Sequence, residues 1–215
     1  MTEPGADTGV PTVAVFGDVD INLIDGSSIW LVSLCSVLDR LDLRGHVLLK
    51  ATIDRDVLSR ELDDLSHFRV WAPGDVGVSG RLRPGALVGA VAHIDESESL
   101  DIVIVRGLRA STELAASGRF DGRLWPYLTD IPQSAEEMTA ERQEDLRRIF
   151  DVSGRILCQT ESLRSFLVSY FPDHDARMIL LPPMVPDSAF RVHREDADPG
   201  VLRLFYAGKF APQWG

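Results

Sequence analysis

The sequence lacks the features that mark membrane-spanning and secreted proteins. Its longest apolar run, SSIWLVSLCSVL at residues 27–38, is far shorter than the roughly 20 apolar residues that a membrane-spanning helix needs. The N-terminus also lacks the basic segment followed by an apolar segment that is typical of a secretory signal. We therefore expect a cytoplasmic protein without a spanning helix.

Cysteine and lysine are scarce. The two cysteines, Cys35 and Cys158, are far apart in the sequence and form neither a metal-binding pair nor a disulfide framework. Both are expected to be small core residues. Among 22 basic residues only Lys50 and Lys209 are lysines, so arginine supplies nearly all of the positive charge.

Positive charge as a whole is in deficit. The formal net charge is -11 over 215 residues, whereas binding to nucleic-acid phosphates needs a positive field. We therefore expect no nucleic-acid partner. With 45% hydrophobic and 26% charged residues, the chain has enough apolar side chains to bury a core of one or two domains.

Sequence motifs for dinucleotide cofactors and for metal ions are missing as well. No GxGxxG pattern follows the first strand-like segment, so a nicotinamide or flavin site has little support. The five histidines show no metal-binding spacing; they are His46, His67, His93, His174 and His193. We expect no cofactor and no metal. His46 is expected to be structural and the other histidines exposed.

What is present is a regular alternation of strand-like and helix-like segments. The strand-like segments are PTVAVFGD, HVLLKAT, FRVWAP, LDIVIVRG, RLWPYLTD, RILCQTE and RMILLPP. Of the helical patterns between them, the first is expected to stop at Gly45, and the fifth covers the polar segment 134–153. Continuous apolar strands are typical of parallel sheets covered on both faces. The sequence predicts a doubly wound α/β fold with a mainly parallel Rossmann-like sheet and helices on both faces.

In such a sheet the loops after the carboxyl ends of the strands build the binding crevice. Polar residues follow the predicted strands in several places and are expected to meet at this rim. They are Asp18, Asp20, Gly26, Ser27, Ser28, Arg106, Asp130 and Glu161.

The C-terminal part of the sequence changes character. Residues 183–200 are rich in Pro, Asp and Gly without periodicity, which is typical of a linker. The segment VLRLFYAGKF then begins a new strand and a Gly-Lys loop. We predict a first domain over 1–182, an interdomain linker over 183–200, and the first strand and loop of a truncated second domain over 201–215.

Four segments in this order resemble GT-B glycosyltransferases, especially glycosyltransferase family four. The segment DGSSIWLVSLCSVLDRLDLRGHV is similar to the opening of the N-terminal domain of that fold, and RILCQTESLRSFL is similar to its late strand and helix. The segment RMILLPPMVPD resembles the crossing into the second domain, and LFYAGKFAPQWG resembles the opening of the nucleotide-sugar domain. The resemblance covers essentially the whole chain and implies the N-terminal, acceptor-binding half of a GT-B enzyme.

Site residues follow from the rim positions and the resemblance together. The turn Gly26-Ser27-Ser28 is predicted to bind an acceptor, and Lys209 is implied by the resemblance to bind the donor phosphate. From their rim positions, Arg106 and Arg109 are predicted to bind an anionic acceptor or phosphate, and Asp130 and Glu161 to orient acceptor hydroxyls or serve as a base, with Asp130 as the catalytic position and Glu161 as an acceptor-binding one. Asp130 stands where the family often has His, and Trp214-Gly215 stands where it has Lys-Gly. Each assignment has a plainer alternative. A serine of Gly26-Ser27-Ser28 could cap a helix, Arg106 and Arg109 could form surface ion pairs, Asp130 and Glu161 could cap helices, and Lys209 could be a solvated loop residue.

For the intact enzyme the resemblance implies transfer of a sugar from a nucleotide-sugar donor to a hydroxyl-bearing acceptor, with retention and no obligatory metal. The acceptor would be a sugar, glycan or glycolipid. The resemblance is also compatible with peripheral membrane contact by the full-length protein. The 215-residue fragment itself is expected to be inactive.

Two other functions stay open. One is a non-catalytic binding module with a GT-B-like half. The other is a Mg²⁺-dependent phosphatase, because Asp18 and Asp20 form an Asp-x-Asp pair after the first strand. The flanking residues do not continue the phosphatase pattern, and Lys50 is expected to be poorly placed for it.

Overall fold

A computed structural model describes residues 9–132 and 134–184, with the side chain of Val57 excepted. The strands are β1 (Thr12–Gly17), β2 (Arg44–Leu48), β3 (Phe68–Trp71), β4 (Ile102–Arg106), β5 (Leu124–Tyr127), β6 (Ile156–Cys158) and β7 (Met178–Leu180). The α-helices are α1 (Gly26–Asp39), α2 (Asp56–Asp63), α3 (Pro84–Glu98), α4 (Leu108–Ala116), α5 (Ala140–Val152) and α6 (Glu161–Tyr170), with short 3₁₀ turns at Pro73–Val76 and Pro172–Arg177.

The seven strands form one parallel sheet in the order β3-β2-β1-β4-β5-β6-β7. The chain moves outward from β1 to β2 and β3, crosses over through α3 to β4, and then moves outward in the opposite direction. The predicted doubly wound, Rossmann-like α/β fold is confirmed. The strand order reverses between β1 and β4, and this switch point determines where the candidate site lies.

The central strand β1 is buried on both faces, as its uninterrupted apolar sequence predicts. Val13 and Val15 pack into a cluster with residues of α1 and α2, whereas Ala14 and Phe16 pack with residues of α3 and α4. The edge strands β3 and β7 are only partly covered, and Arg69 and Leu180 are exposed on them. Continuous apolar sequence therefore reflects complete burial only in the middle of the sheet.

A third apolar cluster joins α5 and α6 to the far half of the sheet. Phe150 and Phe171 meet edge to face in it, with ring centroids 5.0 Å apart. His174 packs against both rings and is only 5% exposed, so the expectation that this histidine is exposed is wrong. His67 and His93 are exposed as expected, and His193 lies outside the described residues. The expected burial of Cys35 and Cys158 is confirmed.

Two predicted helix boundaries are wrong. The first helix ends at Asp39, and Gly45 lies within β2 beneath the ring of Phe68, where a Cβ atom would come 2.1 Å from ring carbons. Asp42, with φ 56°, makes the left-handed turn that was expected of a glycine. The fifth helix begins at Ala140 because the Thr139 hydroxyl accepts a hydrogen bond from the amide of Arg142.

Within the described ranges, no helix combines the length and apolar character needed to cross a membrane. The predicted linker 183–200 lies largely outside those ranges, and the predicted strand and loop at 201–215 lie entirely outside them. Both stay predictions.

Substitution of two glycines by alanine is expected to change the free energy of unfolding in opposite directions. A Cβ atom at Gly154 would lie 2.1 Å from the carbonyl oxygen of Gly122, and this backbone atom is fixed by neighbouring hydrogen bonds. Gly89 lies in α3 with open space around its Cα atom. We expect Gly154→Ala to lower the free energy of unfolding by about 1–3 kcal/mol, and Gly89→Ala to raise it by up to about 1 kcal/mol. Urea denaturation measures both, and equal midpoints for the two variants would contradict the packing at Gly154.

His46 makes the stability of the fold depend on pH. It is 3% exposed, and its Nδ1 atom accepts a hydrogen bond of 3.1 Å from Nε1 of Trp71. Burial lowers the pKa of His46 below its ordinary value of 6.5, and Glu98 opposes this only in part. Below pH 6.5 the unfolded chain therefore binds more protons than the folded chain, so acidification reduces stability.

Below pH 6.5, we expect the free energy of unfolding of the wild type to fall by up to about 1.4 kcal/mol per pH unit for each buried histidine whose pKa is lowered in the folded chain. His46→Gln keeps an acceptor for Trp71 but does not titrate, so its pH dependence should be shallower. Some dependence remains because burial also lowers the pKa of His174. His67→Gln, at an exposed position, is the control. Identical pH dependence in His46→Gln and the wild type would refute the assignment.

Candidate functional site

The candidate site lies at the carboxyl ends of β1 and β4, where the strand order reverses. The amide of Asp18 donates a hydrogen bond of 3.4 Å to the carbonyl oxygen of Arg106, and beyond this contact the two chain segments separate. Gly107 follows with φ 108°, a conformation that L side chains rarely adopt, and its Cα atom faces Asp18. The turn at Gly107 opens a crevice on each side of the β4–α4 connection.

The first crevice, termed the basic cleft, has a volume of about 1050 Å³. Its charged lining consists of Asp18, Lys50, Arg81, Arg83 and Arg109. Nζ of Lys50 lies 2.6 Å from Oδ1 of Asp18, and the carbonyl oxygen of Lys50 accepts a hydrogen bond of 2.7 Å from the amide of Leu82. These contacts join the ends of β1 and β2 to the loop that precedes α3.

Asp20 extends this network through Arg81 and Asn22. Its Oδ2 atom lies 2.9 Å from Nη2 of Arg81, and its Oδ1 atom accepts hydrogen bonds from the backbone and side-chain amides of Asn22. Both carboxylate oxygens of Asp20 are thus engaged within the protein. An Asp-x-Asp phosphatase needs free carboxylate oxygens for a metal ion, so this arrangement gives that alternative no support.

The second crevice, termed the acidic cleft, has a volume of about 440 Å³. Its charged lining consists of Asp18, Arg106, Arg109, Glu113, Asp130, Arg142 and Asp145. Asp130 is exposed, and its side chain forms no ion pair or hydrogen bond with the residues at 9–132 and 134–184. A carboxylate in this position is available to accept a hydrogen bond from a ligand.

Arg106 lies over an aromatic ring that itself stacks on a second ring. Its guanidinium carbon lies 5.8 Å from the ring centroid of Trp30, and Trp30 stacks on Tyr127 with the ring centroids 4.8 Å apart. Burial raises the pKa of Tyr127, with a partly opposing effect of the Arg106 charge, so the phenol stays neutral at physiological pH. The stack positions a permanent cation at the rim.

Gly26, Ser27 and Ser28 form the first turn of α1, and Asp25 caps that turn. Oδ1 of Asp25 accepts hydrogen bonds of 2.9 Å from the amides of both Ser27 and Ser28. The Ser28 hydroxyl is fully buried and donates to the carbonyl oxygen of Leu23 at 2.6 Å. The N-cap is thus Asp25 rather than a serine, and the two amides and the Ser28 hydroxyl already have partners. The acceptor-binding role predicted for Gly26, Ser27 and Ser28 stays a prediction.

Glu161 lies outside both clefts, and Lys209 lies outside the described residues. Glu161 begins α6 and lies 3.3 Å from Nη1 of Arg164, outside the linings of both clefts, while the Thr160 hydroxyl caps the helix. The roles predicted for both stay predictions.

Sequence reasoning underrated Lys50 and missed Arg81, Arg83 and Arg142. Lys50 is considered in the sequence only as a poorly placed lysine for a phosphatase, whereas in the structure it contacts Asp18 directly. Its position two residues after β2 was a usable signal, since β2 neighbours β1 in the sheet. Arg81 and Arg83 lie in the long connection after β3, and no sequence pattern predicts which way such a connection folds.

No cluster of three or more His, Cys, Asp or Glu side chains suited to a metal ion occurs among the described residues.

Comparisons with known proteins concern the fold. No protein-family model and no curated protein matches the chain. Among solved structures, UDP-N-acetylglucosamine 2-epimerase from Rickettsia bellii matches with 12% identity and a TM-score of 0.48, over 81% of this chain and 45% of that protein. Phytolacca americana UGT2, solved with UDP-2fluoro-glucose and pterostilbene, matches with 15% identity and a TM-score of 0.40, over 70% of this chain and 48% of that protein.

The chain spans less than half the length of these two proteins. The Rossmann-like sheet that the resemblance implied is established by its own strand order and register. Assignment to glycosyltransferase family four stays a prediction.

The cap of α1 makes a prediction that separates a structural serine from a ligand-binding one. We expect Ser28→Ala and Asp25→Ala each to lower the free energy of unfolding by about 1–2 kcal/mol, because each breaks the cap. The double variant should lose less than the sum of the two. Ser27→Ala, which leaves both amide bonds to Asp25 intact, is the matched control. Urea denaturation of the four variants gives the result, and a Ser28→Ala variant as stable as Ser27→Ala would contradict the buried hydrogen bond to Leu23.

Proposed function

We propose that this chain is the acceptor-binding half of a GT-B glycosyltransferase that transfers a sugar from a nucleotide-sugar donor to a hydroxyl-bearing acceptor. The proposal combines the resemblance in the sequence with the chemistry of the rim. The donor would bind mainly through a further domain, to which Lys209 would contribute a cation for the donor phosphate. A sugar, glycan or glycolipid is the proposed acceptor.

One observation carries the proposal. A free carboxylate, Asp130, and two arginines without ion pairs among the described residues, Arg106 and Arg109, line one crevice at the switch point of a doubly wound sheet. Ligands of such sheets bind at this point. A carboxylate beside cations is suited to bind a polyhydroxylated ligand, because it accepts hydrogen bonds from hydroxyl groups while the guanidinium groups donate them.

The proposed reaction follows from these groups. The acceptor hydroxyl oxygen forms a bond to the anomeric carbon of the donor sugar as the bond from that carbon to the diphosphate breaks, and the nucleoside diphosphate leaves with the electron pair. Asp130 accepts a hydrogen bond from the hydroxyl and orients its oxygen, and the hydroxyl proton passes to the Asp130 carboxylate as the new bond forms. Retention at the anomeric carbon and the absence of an obligatory metal belong to the proposal through the resemblance.

The test uses the natural full-length polypeptide that contains this chain. We expect nucleoside diphosphate release from a panel of nucleotide-sugars only when a hydroxyl-bearing acceptor is present. Asp130→Asn should reduce kcat by about 100-fold or more, because the amide neither accepts a proton nor carries the negative charge. Asp121→Asn is the matched control, since Asp121 is exposed and precedes β5 at the opposite end of the strand.

Proton NMR of the product reads the configuration at the anomeric carbon, and inversion would refute retention. Ligand binding without turnover in the full-length protein would instead support the non-catalytic module. Equal kcat values for Asp130→Asn and Asp121→Asn would remove Asp130 from the proposed reaction.

A further inference from the structure

The basic cleft differs in charge from the rest of the protein. The chain carries a formal net charge of -11, yet four basic side chains, Lys50, Arg81, Arg83 and Arg109, line this cleft with a single carboxylate, Asp18. Concentration of positive charge in a concave surface of an acidic protein raises the local concentration of anions. The acidic cleft on the other side of Arg109 contains four carboxylates and three arginines, so the two crevices attract different groups.

Two of the four basic groups are neutralised within the protein. Lys50 pairs with Asp18 at 2.6 Å, and Arg81 pairs with Asp20 at 2.9 Å. Arg83 and Arg109 are exposed, and neither forms an ion pair with the residues at 9–132 and 134–184. The cleft therefore presents two guanidinium groups whose charge is not balanced by a described carboxylate.

The walls of the cleft are ordered by short contacts and leave room for a ligand. The hydrogen bond from the Leu82 amide to the Lys50 carbonyl oxygen fixes the loop between Arg81 and Arg83 against β2. Gly85 has no heavy atom within 4 Å of the position where a Cβ atom would be, so the wall beyond Arg83 is open. The first turn of α3 adds a favourable dipole there, but the basic side chains supply the charge.

We propose that the basic cleft binds a phosphate monoester, with Arg83 and Arg109 as the groups that contact the phosphate. A phosphate monoester carries close to two negative charges at neutral pH, which matches two unpaired guanidinium groups. Guanidinium groups bind phosphate through paired N–H donors, a geometry that an ammonium group does not offer. Lys50 and Arg81 are already paired with Asp18 and Asp20 and are not assigned to the phosphate.

This site deepens the proposed function and in that respect depends on it. Arg109 lines both clefts, so a phosphate held in the basic cleft lies next to the crevice that contains Asp130. An acceptor with a phosphate at one end would thus present a hydroxyl toward Asp130. The proposed acceptor class is accordingly a phosphorylated polyol or sugar, either free in solution or as a lipid headgroup.

The test measures binding directly. Inorganic phosphate and glucose 6-phosphate are titrated into the ¹⁵N-labelled protein in a phosphate-free buffer, with glucose as the neutral comparison. We expect saturable shifts of the Ser79, Leu82 and Gly85 amide signals for the two phosphates but not for glucose. Arg83→Ala and Arg109→Ala should each weaken the affinity about tenfold or more, and Arg83→Lys should weaken it less than Arg83→Ala.

Arg60→Ala is the matched control, because Arg60 is an exposed arginine on α2 that pairs with Asp56. Circular dichroism checks that each variant is folded. The absence of saturable shifts would overturn the proposal. So would equal affinities of Arg83→Ala, Arg109→Ala and Arg60→Ala.

Two further arms separate the sources of phosphate and the two proposals. Binding to vesicles of phosphatidylcholine and phosphatidic acid, if inorganic phosphate competes with it, would identify a lipid headgroup as the ligand. Phosphate binding without vesicle binding would identify a soluble ligand. Both results support the site.

Transfer to neutral acceptors with no phosphate binding would overturn the phosphate site alone. Phosphate binding in a protein without transfer activity would overturn the transferase proposal alone.

Discussion

Parallel pairing of β1 with both β2 and β4 is the constraint on which the rest of the structure depends. A strand buried on both faces must satisfy its backbone groups on both edges, and here the two partners belong to halves of the chain that wind in opposite directions. The connections after β1 and β4 consequently separate at the carboxyl ends of the strands. Both clefts result from this separation, and both include Asp18 in their lining.

The connections that form the rim are held to one another by hydrogen bonds. Asn22 links the connection after β1 to the one after β2, because its amide donates to the carbonyl oxygen of Thr52 at 2.8 Å and its Oδ1 atom accepts from the amide of Asp54 at 2.7 Å. Asp25 and Ser28 close the first turn of α1 in the same region. A backbone held in this way loses little freedom on binding, which favours precise orientation of the side chains that it carries.

Electrostatics then divides the rim into two parts. The Lys50–Asp18 pair neutralises the inner wall of the basic cleft, whereas Arg83 and Arg109 keep unbalanced charge toward its opening. Across Arg109, the acidic cleft combines carboxylates with the Arg106 guanidinium held over Trp30. One crevice is thus suited to an anionic group and the other to hydroxyl groups, and a single ligand reaching past Arg109 would use both.

The sequence by itself determined the alternation of elements and the parallel sheet, because burial on both faces requires uninterrupted apolar strands such as β1 and β4. It also placed Asp18, Arg106 and Asp130 at strand ends that face one rim. Only the tertiary structure decided that Ser28 is buried, that Gly45 lies beneath Phe68, and that Lys50, Arg81 and Arg83 line one cleft. The reason is physical: local sequence sets which residues end a strand, but ion pairs and loop contacts between distant segments set which side chains stay free for a ligand.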